Sequence, residues 1–138
     1  MKNFIILLFL INLCHSGISQ SIQEYKTKTS SNSRDRSMML DILRANLYQE
    51  FEQELVFVVN HFKKGNNYAW FMGSAKRKDG QEIMFPDDWH DCCHVEALFH
   101  KSNGKWYLAK SNAFSTDVWW DGIWEDYEDA PRAIFPSY

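Results

Sequence analysis

Residues 93–112 read CHVEALFHKSNGKWYLAKSN, two strand-like runs hinged on Ser102-Asn103-Gly104. An Asn-Gly pair between such runs favours a two-residue hairpin turn, because both positions tolerate the positive φ that matches strand twist. One antiparallel pair is therefore written into the chain, and it needs company, since a lone hairpin is marginal in water. Two upstream runs supply it. ELVFVVNHF (54–62) is β-branched and aromatic, and KKGNN stops it with turn chemistry; YAWFMGSAK (68–76) follows as its hairpin partner, closed by RKDG. QEIMF (81–85) reads either as a short edge strand or as part of an excursion that Pro86 interrupts.

A sheet with an apolar face needs a cover. In SRDRSMMLDILRANLYQEF, Met39, Leu43 and Leu47 recur every four residues with Met38, Ile42 and Phe51 beside them, while Arg44, Gln49 and Glu50 take the other side. That spacing predicts an amphipathic helix from an N-cap at Ser33 or Asp35 to about Gln49. Near the C-terminus, Ser115 or Thr116 can cap a second helix carrying Trp120, Ile123, Trp124 and Tyr127. Gly122 weakens it by ~1 kcal/mol relative to alanine, and Pro131 ends it. Ile134 and Phe135 are expected to tuck into the core. The expected fold class is α+β: an N-terminal helix packed on a four- or five-stranded, mostly antiparallel sheet, with a short C-terminal helix.

The chain opens MKNFIILLFLINLCHSGISQ. Lys2 ahead of an apolar stretch from Phe4 to Leu13, then Gly17 and Ser19 at small-residue positions, predicts a signal peptide over 1–19 with cleavage before Gln20. Residues 20–32, polar and rich in Ser and Thr, read as a flexible leader, and 33–138 as a single domain. The expected location is secreted or periplasmic. No later stretch approaches the ~20 apolar residues of a membrane span, so no transmembrane segment is expected in the mature chain. Net charge falls from −3 to −4 once Lys2 is removed, which argues against nucleic-acid binding. Asp117, Asp121, Glu125, Asp126, Glu128 and Asp129 crowd the C-terminal segment, opposed only by Arg132. Most of that charge reads as a solvated face.

RSMMLDILR, VFVVNHF, YAWFMG, GKWYLAKSN, TDVWWDGIW and PRAIF together resemble a small cystatin-like or NTF2-like α+β fold, in which a curved sheet wraps a long N-terminal helix. They also loosely resemble uncharacterised exported bacterial proteins. The resemblance implies a fold and a bacterial envelope setting; it carries no function and no site residues.

WHDCCH (89–94) concentrates the reactive side chains. On a strand beginning near Cys92, Cys93, Val95, Ala97 and Phe99 share one face and Cys92, His94, Glu96, Leu98 and His100 the other. The first set reads as core, with Cys93 a small buried hydrophobe. A zinc site using His90, Cys92 and His94 is the competing reading. Zinc needs its donors within roughly 4 Å of one another, whereas i and i+2 on a strand lie ~7 Å apart. Only one such pair can chelate unless the chain bends before Cys92, and further ligands must come from His61, Asp87, Asp88 or Asp91. A third reading is redox chemistry through a vicinal Cys92–Cys93 disulfide. In a regular strand the two Cβ atoms diverge, so that ring closes only in a turn.

Six tryptophans raise the question of a stacking surface. Trp70 and Trp106 are expected in the core. Trp119 and Trp120 cannot both face inward on one helix, so Trp119, Trp120, Trp124 and Asp121 stand as candidate ligand-binding residues. The chain contains no P-loop, GxGxxG, HExxH or GxSxG, which lowers the expectation of an enzyme, and no catalytic residue is assigned. Two functions remain: an exported non-catalytic binding or structural module, its partner an envelope protein or cell-wall glycan and its cofactor none, or a metal- or redox-dependent exported protein built on His90, Cys92, Cys93 and His94, with zinc the candidate metal.

Overall fold

The computed structural model describes residues 21–137; the signal-peptide expectation falls on residues outside that range. The described chain is α+β. Helix α1 (Ser33–Phe51) lies on one face of a five-stranded antiparallel meander, β1 (Gln23–Glu24), β2 (Leu55–Gly65), β3 (Tyr68–Arg77), β4 (His94–Ser102) and β5 (Lys105–Ala113), in that order across the sheet. A single turn α2 (Ile123–Asp126) and a 3-10 turn (Arg132–Ile134) follow. Among the described residues no helix is long and apolar enough to cross a membrane.

The hairpins form where turn chemistry allows. Asn66-Asn67 joins β2 to β3 with Asn66 at φ 52°, and Asn103-Gly104 joins β4 to β5 with φ 50° and 75°. Helix α1 ends as Glu52 enters the left-handed region at φ 54°, its N–H bonding Tyr48 O at 2.9 Å. Its stripe of Met39, Leu40, Leu43, Leu47 and Phe51 is buried, packed with Phe62, Phe71, Val95, Ala97 and Phe99 from the inner face of the sheet.

The other face is covered too. Trp70 and Leu98, fully buried, meet Trp120, Ile123, Ala130, Ile134 and Phe135 from the irregular C-terminal segment. On β2 a register shift lies between Val59 and His61. The extra residue lets Val59 and Phe62 both face α1 while His61 turns outward, where its Nε2 meets Ile134 O at 2.6 Å. Gly73 stands opposite Val59, and a Cβ there would lie 2.5 Å from Val58 O.

Two stretches differ from the sequence reading, and for QEIMF the structure takes the second of its two alternatives. Residues 23–32 are built into the domain rather than forming a flexible leader: β1 pairs with Lys63 and Lys64 of β2, and Tyr25 is buried against Phe62. Arg36 Nε donates to Tyr25 O at 2.8 Å and Asn32 Nδ2 to Thr27 O at 2.9 Å, contacts that polar composition does not reveal. QEIMF forms no strand and belongs to an excursion over 78–93. The C-terminal helix is confined to four residues, because Gly122 sits at φ 79° and breaks helical backbone just ahead of Ile123.

Candidate functional site

The excursion delivers the WHDCCH residues to β4. Gln53 clamps its middle, donating to Met84 O at 2.7 Å and accepting from Met84 N–H at 2.9 Å. His90 stacks on Phe85, meets the edge of Phe51, and pairs its Nδ1 with Asp87 Oδ1 at 2.7 Å. Trp89 is left 84% exposed. Cys92 and Cys93 are joined as a vicinal disulfide across a cis peptide bond. Cys93 packs beside the core under α1, whereas His94 points to the opposite face and bonds Glu96. His90, Cys92 and His94 therefore do not converge: one imidazole is stacked at the end of α1, one lies across the sheet, and the thiols are spent on each other. Among the described residues no group of three or more His, Cys, Asp or Glu side chains is placed to hold a metal ion.

Glu96 is the acid that the fold buries, at 4% exposure, on the face away from α1. A buried carboxylate needs donors. His94 Nδ1 lies 3.0 Å from Glu96 Oε1, and Trp119 Nε1 donates to Oε2 at 3.0 Å. The network ties the C-terminal segment to the sheet. Trp119 is thus half-buried and committed, and Trp120 is buried against Trp70. Asp121 stands exposed in the turn that follows them. Of the four candidate ligand-binding residues, Trp119 and Trp120 are taken up by packing, Asp121 is exposed, and Trp124 lines a cleft.

That cleft, about 760 Å³, opens where the Asn66-Asn67 turn, the end of β4 and the segment 128–132 meet. Tyr68 and His100 are cross-strand partners stacked at 4.5 Å, and they form its floor. Trp124 forms a wall with the Arg132 guanidinium 3.7 Å above its ring, and Glu128 and Asp129 complete the rim. Burial, then the Asp129 carboxylate, hold the Tyr68 phenol above its ordinary pKa, so it remains a hydrogen-bond donor at neutral pH. The ring faces are largely occupied by each other and by Arg132. What the cleft offers a ligand is a mixture of ring edges, two carboxylates, a guanidinium and two amides.

Comparison with family models, with curated proteins and with solved structures finds no match to this chain. Of the cleft residues, Trp124 was singled out by its sequence neighbourhood, and Glu128, Asp129 and Arg132 by their charge alone. Tyr68 and His100 carry a signal only once β3 is known to pair with β4 in this register.

Proposed function

We propose that the chain is an exported binding module, non-catalytic at the cleft between Tyr68, His100, Trp124, Asp129 and Arg132, which takes a cell-wall glycan. The observation that carries this reading is the lining of the cleft. A sugar presents hydroxyls that both donate and accept, and Glu128, Asp129, Asn66, Asn67 and Arg132 offer both kinds of partner around aromatic edges. A single strong charge would favour an ion; here acid and base share the rim. Export is supported by Lys2, the apolar run from Phe4 to Leu13 and the small residues before Gln20, and the secreted or periplasmic space of a bacterium is where such a ligand lies.

Titrating the mature chain with N-acetylglucosamine tetramer, followed by tryptophan emission and amide shifts, tests it. Saturable binding with shifts confined to Tyr68, His100 and Trp124 is expected. Asp129→Asn should weaken it about tenfold, the size of one charge-assisted hydrogen bond. No saturable change with this tetramer or with soluble peptidoglycan fragments sinks the reading.

A further inference from the structure

The Cys92–Cys93 bond has no part in that cleft and no evident part in stability. A disulfide stabilises chiefly by closing a loop of chain, and that gain vanishes when the partners are neighbours in sequence. The pair is not hidden either, since Cys92 is exposed and Cys93 half-buried. It stands in the wall of a second cleft, about 480 Å³, between the end of β3 and the excursion. Ala75, Ile83 and Phe85 give this cleft an apolar side. Its charges offset one another: Arg77 is committed to Asp79, and Lys76 shares the rim with Glu82. The backbone around the sulfurs is pinned, with Ala75 N–H on Cys93 O at 2.8 Å and Asp91 N–H on Phe114 O at 2.7 Å.

We propose that Cys92–Cys93 is a thiol–disulfide exchange centre that oxidises an uncharged dithiol with an apolar body. The body lies against Ile83 and Phe85, and one thiolate of the substrate attacks the Cys92 sulfur, which the exposed side of the pair presents. A sulfur–sulfur bond forms to Cys92 as the Cys92–Cys93 bond breaks, and Cys93 leaves as a thiolate that takes a proton from water. The second thiol of the substrate, deprotonated, then attacks its own sulfur in the mixed disulfide. Cys92 leaves as a thiolate and is protonated, the substrate departs as a cyclic disulfide, and two electrons have passed to the protein.

Reduced lipoamide, an uncharged apolar dithiol, and dithiothreitol, a polar one, distinguish recognition from bare reactivity. Each is reacted with the oxidised mature chain and with the oxidised peptide of residues 88–95, which carries the same bond and no cleft. Rates are read by alkylation and intact mass. The lipoamide-to-dithiothreitol ratio is expected to be at least about fivefold higher for the chain than for the peptide, the gain from burying one to two methylenes. Ile83→Ala should return the ratio to the peptide's, with an unchanged urea midpoint reporting an intact fold. Glutathione disulfide should modify Cys92 in Cys93→Ser at least ~10-fold faster than Cys93 in Cys92→Ser, following thiol access. Equal ratios for chain and peptide, equal rates at the two cysteines, or two free thiols in chain purified under air would each overturn the proposal.

Discussion

The two faces of the sheet are covered by different means. Under α1, the apolar side chains of Leu43, Leu47, Phe62, Phe71 and Phe99 interlock, and the cover is a regular helix whose own backbone bonds are internal. On the opposite face the cover is the irregular segment after Phe114, which must be fastened point by point. His61 meets Ile134 O, Trp119 donates to Glu96, and Tyr127 Oη donates to Ala109 O at 3.4 Å. A helix whose stripe is continuous is held mainly by apolar burial. An irregular cover has unpaired backbone groups of its own, so burial must be joined by specific hydrogen bonds. Both proposed sites lie where regular structure stops, one at the rim of this fastened segment and one where the excursion rejoins β4.

Adjacent residues separate the faces most sharply. Trp70 and Phe71 are both fully buried on β3 but point to opposite sides. Each truncated to alanine should cost about 3–5 kcal/mol. The distribution of that cost should differ. Phe71→Ala weakens the helix-covered core, and with it global stability in urea. Trp70→Ala removes the ring that Trp119, Trp120 and Phe135 all contact. Amide hydrogen exchange in Trp70→Ala should rise first across 119–135, ahead of β2 to β5. Uniform loss of protection in both variants would show the two faces to be one cooperative unit.

The same asymmetry governs what the sequence reveals. Met39, Leu43 and Leu47 announce a helix because period and burial coincide, and the Asn103-Gly104 turn fixes one hairpin because its backbone demands those residues. Along β4 the alternation was legible for Val95, Ala97 and Phe99 but hid the burial of Leu98 and Glu96, since nothing local says that a second layer lies on that face. The register shift that turns His61 outward has no sequence signature. Tyr25 looked like leader because its burial depends on Phe62, 37 residues later in the chain. The candidate site was legible only in fragments for the same reason: Tyr68 and His100 meet through register, and Trp124 meets Arg132 through the fold of a segment without periodicity. Cys92 and Cys93 were visible as a pair, while Ile83 and Phe85 beside them depend on the path of the excursion.

A smaller test acts on one fastening. Glu96→Leu keeps most of the volume but removes both acceptor oxygens. Trp119 Nε1 and His94 Nδ1 each lose the oxygen they meet, and the indole N–H is left without its acceptor. A loss of about 1–3 kcal/mol is expected, the cost of stranding a buried polar group. Urea unfolding measures it, and the emission of Trp119 should shift toward that of an exposed indole. A variant as stable as the parent would mean that apolar contact with Trp70, not the hydrogen bond, holds Trp119 in place.

The smallest expected effect is a slope rather than a step, and it belongs to His61. Burial is the main reason its pKa lies below the ordinary 6.5, outweighing the bond to Ile134 O. The folded chain therefore binds fewer protons here than the unfolded chain. This contribution to stability is complete above the unfolded value and is lost as pH falls below it, until the folded imidazole also protonates. The helix-covered face has a different dependence. Asp35 is pushed up by partial burial, but the hydrogen bond from Lys101 Nζ at 3.0 Å, the nearby Trp106 and the charges of Lys101 and Lys64 together outweigh this and hold it below its ordinary 3.8, so that linkage acts only in stronger acid. Between about pH 7 and pH 5 the urea midpoint should decline through His61, and His61→Gln, which retains a donor for Ile134 O without titrating, should flatten that stretch of the curve. A decline that survives His61→Gln would assign it to another imidazole, and the bond to Ile134 would then fasten the segment at every pH in this range.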